Sequence, residues 1–226
     1  MFQVRWIKIN SLLKAFIFDM DGVLTDTVEY HYRSWQRLAS DLKIPFSKKD
    51  NEKLLGLSRS DSLKIFLKGK QVSPLEFQQL LQKKNDYFLA LLQDFSPANL
   101  LPGVRELLLQ LKNAGYKMAV ASSSRNTSLI LKRLEITAFF DAVSDSNTVA
   151  KAKPAPDLFL DAAHRLMARP EECVVFEDSV AGVEAGRRAE MLVVGVGAEN
   201  LVGRAHLRYP SMAQVDLNQI LTYRKR

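Results

Sequence analysis

Asp19 and Asp21 stand two residues apart in Asp19-Met-Asp-Gly22, directly after the apolar run Ala15-Phe-Ile-Phe18. Polar groups also cluster at Ser122-Ser-Ser-Arg-Asn126, Lys151-Ala-Lys-Pro154 and Glu177-Asp178. Each has an ordinary explanation alone, since Asp-Gly makes turns, serines cap helices and Lys-Pro suits a loop. Together they offer up to four carboxylates, a hydroxyl and a lysine. Asp19 and Asp178, with Glu177 as a further candidate, are hard oxygen ligands suited to Mg²⁺, which keeps several waters and also engages substrate phosphate. Beside such a cation and a lysine, Asp19 would stay ionised and act as a nucleophile toward phosphorus. Asp21 clears the metal and suits general acid and base work. Ser122 and nearby amides at a helix N-terminus would hold phosphoryl oxygens, and Lys153 would neutralise charge on the transferring group. Lys151 competes for that last role, but the Lys-Pro pairing favours Lys153.

These residues need a scaffold that brings them to one edge. Ala15–Phe18 is expected as a buried parallel strand, and so are Met118–Ala121, Cys173–Phe176 and Leu192–Val194. Between them the pattern predicts helices at Val104–Ala114, stopped by Gly115, and at Arg125–Leu134, Pro156–Met167 and Val180–Arg188. Strands alternating with helices indicate a doubly wound parallel sheet, whose ligand crevice lies at the strands' carboxyl ends. Residues 27–96 break that rhythm and look wholly helical. Ser47 with Asp50, and Ser73-Pro-Leu-Glu76, are capping-box patterns. After the second, Phe77, Leu81, Phe88 and Leu91 recur on one face of a helix. The expected architecture is an α/β Rossmann-like core, residues 1–26 plus 97–226, with an inserted all-helical cap, residues 27–96. The linkers fall near 24–27 and 96–102.

Composition narrows the function classes. The 226 residues are 47% hydrophobic and 25% charged, as in an ordinary globular chain. The net charge is +7, and six of those charges lie in two short tails, at Arg5, Lys8 and Lys14 and at Arg224-Lys-Arg226. A nearly neutral body argues against nucleic-acid binding. No apolar run reaches the ~18 residues of a membrane span. Charges within the opening stretch make it a poor secretory signal. The single cysteine, Cys173, excludes an intrachain disulfide and is expected to be a buried strand residue. A cytoplasmic, monomeric enzyme is the expectation.

The stretch Phe18-Asp-Met-Asp-Gly-Val-Leu-Thr-Asp-Thr27, with Ser122, Lys153 and Glu177-Asp178, resembles all four motifs of the haloacid dehalogenase-type phosphotransferase superfamily. Within it the chain is most similar to the β-phosphoglucomutase family. The matching segments are Thr25–His31 with Trp35, Leu57–Leu63, Lys83–Asn85, Ala121–Asn126 and Lys153–Asp157. The resemblance runs from about Lys14 to the C-terminus. It implies interconversion of β-glucose 1-phosphate and glucose 6-phosphate through a glucose 1,6-bisphosphate intermediate, with Mg²⁺ and a cap that opens and closes. It further implies that Asp19 is the phosphorylated nucleophile and Asp21 the acid and base. Asp19, Asp21 (through its carbonyl), Glu177 and Asp178 would surround the magnesium, while Ser122 and Lys153 assist transfer. Ser122, Ser123, Ser124, Arg125 and Asn126 would contact the phosphoryl group. In the cap, Gly56, Arg59, Ser62 and Lys84 match substrate contacts, and His31 matches a hinge residue. One departure stands out: Leu55 occupies a position where the family typically has a lysine.

Bland readings compete for the cap residues. Lys84 falls on an apolar helix face and could snorkel from the cap's core. Arg59 could be a surface residue, His31 an ordinary helix residue and Trp35 simple packing. The alternative activity is a sugar-phosphate or phosphoglycolate phosphatase with water as acceptor. A dehalogenase has no use for an acid and base at Asp21, and phosphonate hydrolysis is similarly disfavoured. A silent binding module would be expected to lack one of Asp19, Asp21, Lys153 and Asp178.

Overall fold

The computed structural model describes residues 12–54 and 57–224. Six parallel strands form one sheet: β1 (Ala15–Phe18), β2 (Lys117–Ser122), β3 (Ala142–Asp145), β4 (Cys173–Glu177), β5 (Leu192–Val196) and β6 (Leu207–Tyr209). Their spatial order is β3-β2-β1-β4-β5-β6. Phe18 pairs in register with Val120 on one side and Phe176 on the other, so the ends of β1, β2 and β4 lie level. This is the α/β doubly wound sheet expected from the alternation of patterns.

Side chains leave each strand to alternate faces, and both faces are buried. Phe16, Phe18, Val120, Val174 and Phe176 pack one face under α5 (Val104–Asn113) and α6 (Thr127–Arg133). Phe18 and Phe176 stack with ring centroids 4.8 Å apart. The other face uses smaller residues, Ala15, Ile17, Ala119, Ala121 and Cys173, under α7 (Asp157–Arg165) and α8 (Val180–Arg188). Small side chains there let α7 and α8 approach the sheet closely. Cys173 is fully buried, as expected for that strand, and burial pushes its thiol up to about 12. The C-terminal part adds α9 (Glu199–Val202) and α10 (Leu217–Thr222).

Four helices lie between β1 and α5: α1 (Val28–Leu42), α2 (Lys48–Glu52), α3 (Arg59–Phe66) and α4 (Pro74–Leu91). They gather an apolar cluster of their own from Trp35, Leu38, Leu54, Leu63, Phe66 and Leu80. The stretch is not wholly helical, because turns at 43–47 and 67–73 separate the helices. Ser47 and Asp50 form the complete capping box, whereas Ser73 accepts from the Glu76 amide without a reciprocal bond from Glu76. On α4 the most buried positions are Leu80, Lys84, Asn85 and Phe88; Phe77, Leu81 and Leu91 flank them, half-buried. The two linkers lie side by side, with the Leu101 amide donating to the Leu24 carbonyl and the Thr25 hydroxyl to that of Asn99. No helix among the described residues is long and apolar enough to cross a membrane.

Candidate active site

The strand order reverses beside β1, and a crevice at the carboxyl ends of the strands follows from that topology. Lys153, from the loop after β3, reaches into it. Its ammonium donates to Asp19 Oδ1, to Glu177 Oε1 at 2.5 Å and to the Ala121 carbonyl at 3.1 Å. Three acceptors match the three hydrogens of a lysine, so the group is saturated. Asp19 and Lys153 are each 8% exposed and Glu177 is fully buried. Lys151, the competing lysine, is exposed.

Glu177 organises the turn that follows it. Its Oε2 accepts from the Asp178 amide, the Ser179 amide and the Ser179 hydroxyl, each at 3.0 Å. One carboxylate thus ties Lys153 to the turn that carries Asp178. A Cβ at Gly182 on α8 would fall 1.8 Å from the Glu177 carboxyl carbon, so only glycine fits beneath it. Gly22 likewise clears Asp178, whose Oδ2 would lie 1.9 Å from a Cβ.

Asp19, Glu177 and Asp178 each present an oxygen, all within 4.8 Å of one another. Three carboxylates around one ammonium leave excess negative charge in a poorly solvated place. Burial pushes the Asp19 carboxyl well up; Lys153 opposes this, and Glu177 and Asp178 add to it. Burial, then Glu177, pushes Asp178 up to about 7. Lys153 moves the other way: burial disfavours its charge, but Asp19 and Glu177 outweigh burial and raise it above an ordinary lysine. Raised carboxyls around a saturated lysine describe a group one cation short, and an all-oxygen donor set fits a hard divalent ion.

Asp21 is half-buried, and its Oδ1 accepts from the Thr27 amide at 3.0 Å and the Thr27 hydroxyl at 2.5 Å. Burial raises its carboxyl while those two bonds hold it down. Thr27 is the residue immediately before α1, so Asp21 is tied to the first turn of the inserted helices. Across the crevice, the Ser122 hydroxyl accepts from the Ser124 amide and the Ser124 hydroxyl from the Asn126 amide, both at 3.1 Å. Those two amides, expected from the sequence to face a phosphoryl group, are therefore occupied by hydroxyls. The loop is braced from outside by Ser146, which donates to the Ser123 carbonyl at 2.6 Å, and Asn147, which donates to that of Arg125 at 3.2 Å. Arg125 itself is exposed.

Among the cap residues, Lys84 is only 2% exposed and pairs with no carboxylate among the described residues. Its ammonium meets His31 Nδ1 at 2.7 Å and lies 5.1 Å from the Trp35 ring centre and 4.9 Å from that of Phe88. His31 stacks on Phe88 at 4.1 Å. Burial, then Arg59, lowers Lys84 well below an ordinary lysine; burial, then Lys84 and Arg59, does the same to His31. Arg59 is half-buried at the start of α3 and close enough to Arg125 to feel its charge. Snorkelling does not describe Lys84, since its charged end is buried too. Ser62 is buried in the cap, its hydroxyl 3.5 Å from the Leu54 carbonyl. Gly56 and Leu55 lie outside the described residues.

Thr27, Asn85, Ser146, Asn147 and Ser179 were not singled out from the sequence. Asn85 Oδ1 accepts from Asn126 Nδ2 at 3.0 Å. Thr27 and Asn85 fall inside the matched segments Thr25–His31 and Lys83–Asn85 without roles of their own, and Ser179 directly precedes the helix expected from Val180.

Comparison with known proteins agrees with this geometry. A haloacid dehalogenase-like hydrolase family model matches residues 13–190. The β-phosphoglucomutase of Bacillus subtilis is 45% identical over 82% of this chain and 84% of its own. A phosphorylated carbohydrates phosphatase of Thermotoga maritima is 32% identical over 94% of this chain and 99% of its own. The crystal structure of a β-phosphoglucomutase from Clostridium difficile superposes with a TM-score of 0.88 at 35% identity, covering 92% of this chain and 95% of that one. With its motifs gathered at one sheet edge and the family model spanning most of its length, this chain belongs to the haloacid dehalogenase-like hydrolase family.

Proposed function

We propose that the protein is a β-phosphoglucomutase, interconverting β-D-glucose 1-phosphate and glucose 6-phosphate through glucose 1,6-bisphosphate. The observation that carries this reading is charge of opposite sign on the two walls of one crevice. The core offers a cluster of carboxylates about one lysine; the cap offers Lys84, with no carboxylate at contact distance among the described residues, and Arg59, whose charge Asp86 favours. A phosphatase needs one phosphate site. A mutase must also hold the far phosphate of a bisphosphate, and a guanidinium with a buried ammonium suits that task.

In this reading Asp19, Glu177 and Asp178, with the Asp21 carbonyl, would hold Mg²⁺. When bound, that ion would balance the carboxylates and neutralise charge on the transferring group. An oxygen of phosphorylated Asp19 is the leaving group as the C6 hydroxyl of glucose 1-phosphate attacks phosphorus, and Asp21 takes the hydroxyl proton. The bisphosphate then turns over. Asp19 attacks the phosphorus on C1, and Asp21 returns its proton to the departing C1 oxygen, leaving glucose 6-phosphate. Ser122 and Lys153 stabilise the moving charge. Ser123, Ser124, Arg125 and Asn126 would complete the near phosphate site, and Arg59 and Lys84 would bind the far one, with Gly56 and Ser62 as the further contacts that the resemblance implies. His31 partners Lys84 as the cap moves. Residues 1–26 with 97–226 act as the catalytic core and 27–96 as the cap, in a monomeric cytoplasmic enzyme.

The test is to incubate the protein with Mg²⁺, β-glucose 1-phosphate and catalytic bisphosphate, and to separate glucose 6-phosphate from free phosphate. Glucose 6-phosphate as the main product supports the mutase. Leu55, at a position where the resemblance implies a lysine, would weaken or redirect binding of the far phosphate, and free phosphate alone would establish the phosphatase alternative.

A further inference from the structure

Asn85 follows Lys84 on α4 and is 9% exposed. Its Oδ1 accepts at 3.0 Å from Nδ2 of Asn126, which closes the serine loop after β2. The bond joins an inserted helix to the loop that would hold the phosphoryl group. A side-chain amide nitrogen carries two hydrogens. One goes to Asn85, and the second is left for a phosphoryl oxygen, so Asn126 can hold helix α4 and the phosphate at once.

We propose that Asn85 is a positioning residue that couples occupancy of the phosphate loop to closure of the cap. Through that coupling it sets how much of the phosphoenzyme reacts with sugar and how much with water. The last step rests on the mutase reading; the coupling itself does not. The coupling acts in both directions, as any coupling between sites must. Phosphate fixes the Asn126 amide and so presents Asn85 with an oriented donor. A closed cap holds the same amide where phosphate needs it. The bond is part-buried: Asn85 lies beside buried Lys84 and Phe88, while Asn126 is half-buried, so water competes for Asn85 only in part. One neutral hydrogen bond in such a setting shifts a two-state closure about three- to tenfold.

The experiment is a double-mutant cycle on the full chain, read by calorimetric titration with inorganic phosphate in the presence of Mg²⁺. Asn85→Ala should weaken phosphate binding about three- to tenfold although the residue lies on the cap helix. Asn126→Ala should weaken it as well, and the double variant should be no weaker than Asn126→Ala alone. Asn85→Gln keeps a neutral amide acceptor, displaced by one methylene, and should retain more phosphate affinity than Asn85→Ala. In parallel, the ratio of free phosphate to glucose 6-phosphate should rise in Asn85→Ala. Full additivity of the two substitutions, or unchanged phosphate affinity in Asn85→Ala, overturns the coupling. A residue with only a structural role would lower the melting temperature and leave that affinity alone. If the wild type releases only free phosphate, the mutase reading falls, and the phosphate cycle still decides whether Asn85 couples the cap to the loop.

Discussion

Gly182 and Gly186 lie one turn apart on α8, and replacing each with alanine separates fold from site. At Gly182 an added Cβ would fall 1.8 Å from the Glu177 carboxyl group; at Gly186 it would meet a Val193 methyl at 2.7 Å. Both gain ~0.5–1 kcal/mol of helix propensity from alanine. The Val193 methyl can yield by a small shift, so Gly186→Ala should stay within ~1–2 kcal/mol of wild type. Glu177 cannot yield so cheaply. It is fully buried and accepts bonds from Lys153, the Asp178 and Ser179 amides and the Ser179 hydroxyl. Displacing it combines overpacking with weakened buried bonds, so Gly182→Ala should cost about 2–4 kcal/mol. For a chain of this size that is a fall in Tm of ~5–15 °C. Lys153 and Asp178 should shift with Glu177, and a misplacement of about 1 Å costs roughly 10²-fold in turnover. Thermal unfolding and turnover on both purified variants make the comparison. Wild-type turnover in Gly182→Ala would refute the claim that Glu177 holds the site together, and equal losses in both variants would reduce the effect to helix packing.

Asp19→Ala should abolish turnover and leave no acid-labile phosphoenzyme; appreciable activity in the folded variant removes Asp19 as nucleophile. Asp21→Asn should bind phosphate nearly normally and slow transfer by ~10²–10⁴-fold, measured under single-turnover conditions. EDTA should inactivate the enzyme and Mg²⁺ restore it, with Asp178→Ala raising the magnesium requirement; full activity in metal-free buffer contradicts the carboxylate site. Arg59→Ala should damage mutase turnover far more than hydrolysis of acetyl phosphate, which is too small to reach the cap, and equal losses would favour the phosphatase. Lys84→Met should show a stability difference from wild type that depends on pH. A lysine lowered in the folded state costs stability below its unfolded value, and the cost fades as pH rises toward ~10.4. The advantage of methionine in Tm should therefore shrink between pH 7 and pH 10, and a constant difference would contradict a depressed Lys84.

Much of this arrangement is legible in the sequence because strand ends carry it. Apolar runs such as Ala15–Phe18 and Cys173–Phe176 sit in the sheet's interior, and what terminates them must face the crevice. Strands β3 and β6 escape that reading. Ala142-Val-Ser-Asp145 and Leu207-Arg-Tyr209 are short edge strands of mixed polarity and mixed burial, which give no apolar run to detect. Missing β3 also hides Ser146 and Asn147, which brace the serine loop from its end. The α4 face shows a different limit. Its buried seam contains Lys84 and Asn85, so an apolar template selects the neighbouring stripe instead. The contact between Lys84 and His31, 53 residues apart, follows from helix packing that no local pattern encodes.

Those polar residues in the α4 seam explain why the two walls of the crevice suit each other. The core cluster is short of positive charge, and its raised carboxyls register the deficit. The cap cluster is short of negative charge, and its lowered lysine and histidine register the opposite deficit. Neither half corrects itself, because Lys153 is saturated, while the Lys84 ammonium meets His31 and two aromatic rings at close range, is disfavoured by Arg59 and is favoured only by the more distant Asp21. A protein selected only for stability would replace Lys84 with an apolar residue, since a buried unpaired charge is costly. Its presence is explained if a ligand supplies the missing anion when the cap is closed. Under the proposed mutase reading, a sugar bisphosphate would do so at both walls, with one phosphate at the carboxylate site and the other at the cap. Closure would then be favourable only with the charges of both partners in place, and it would shield the phosphoenzyme from water at the moment when a hydroxyl is there to accept the group.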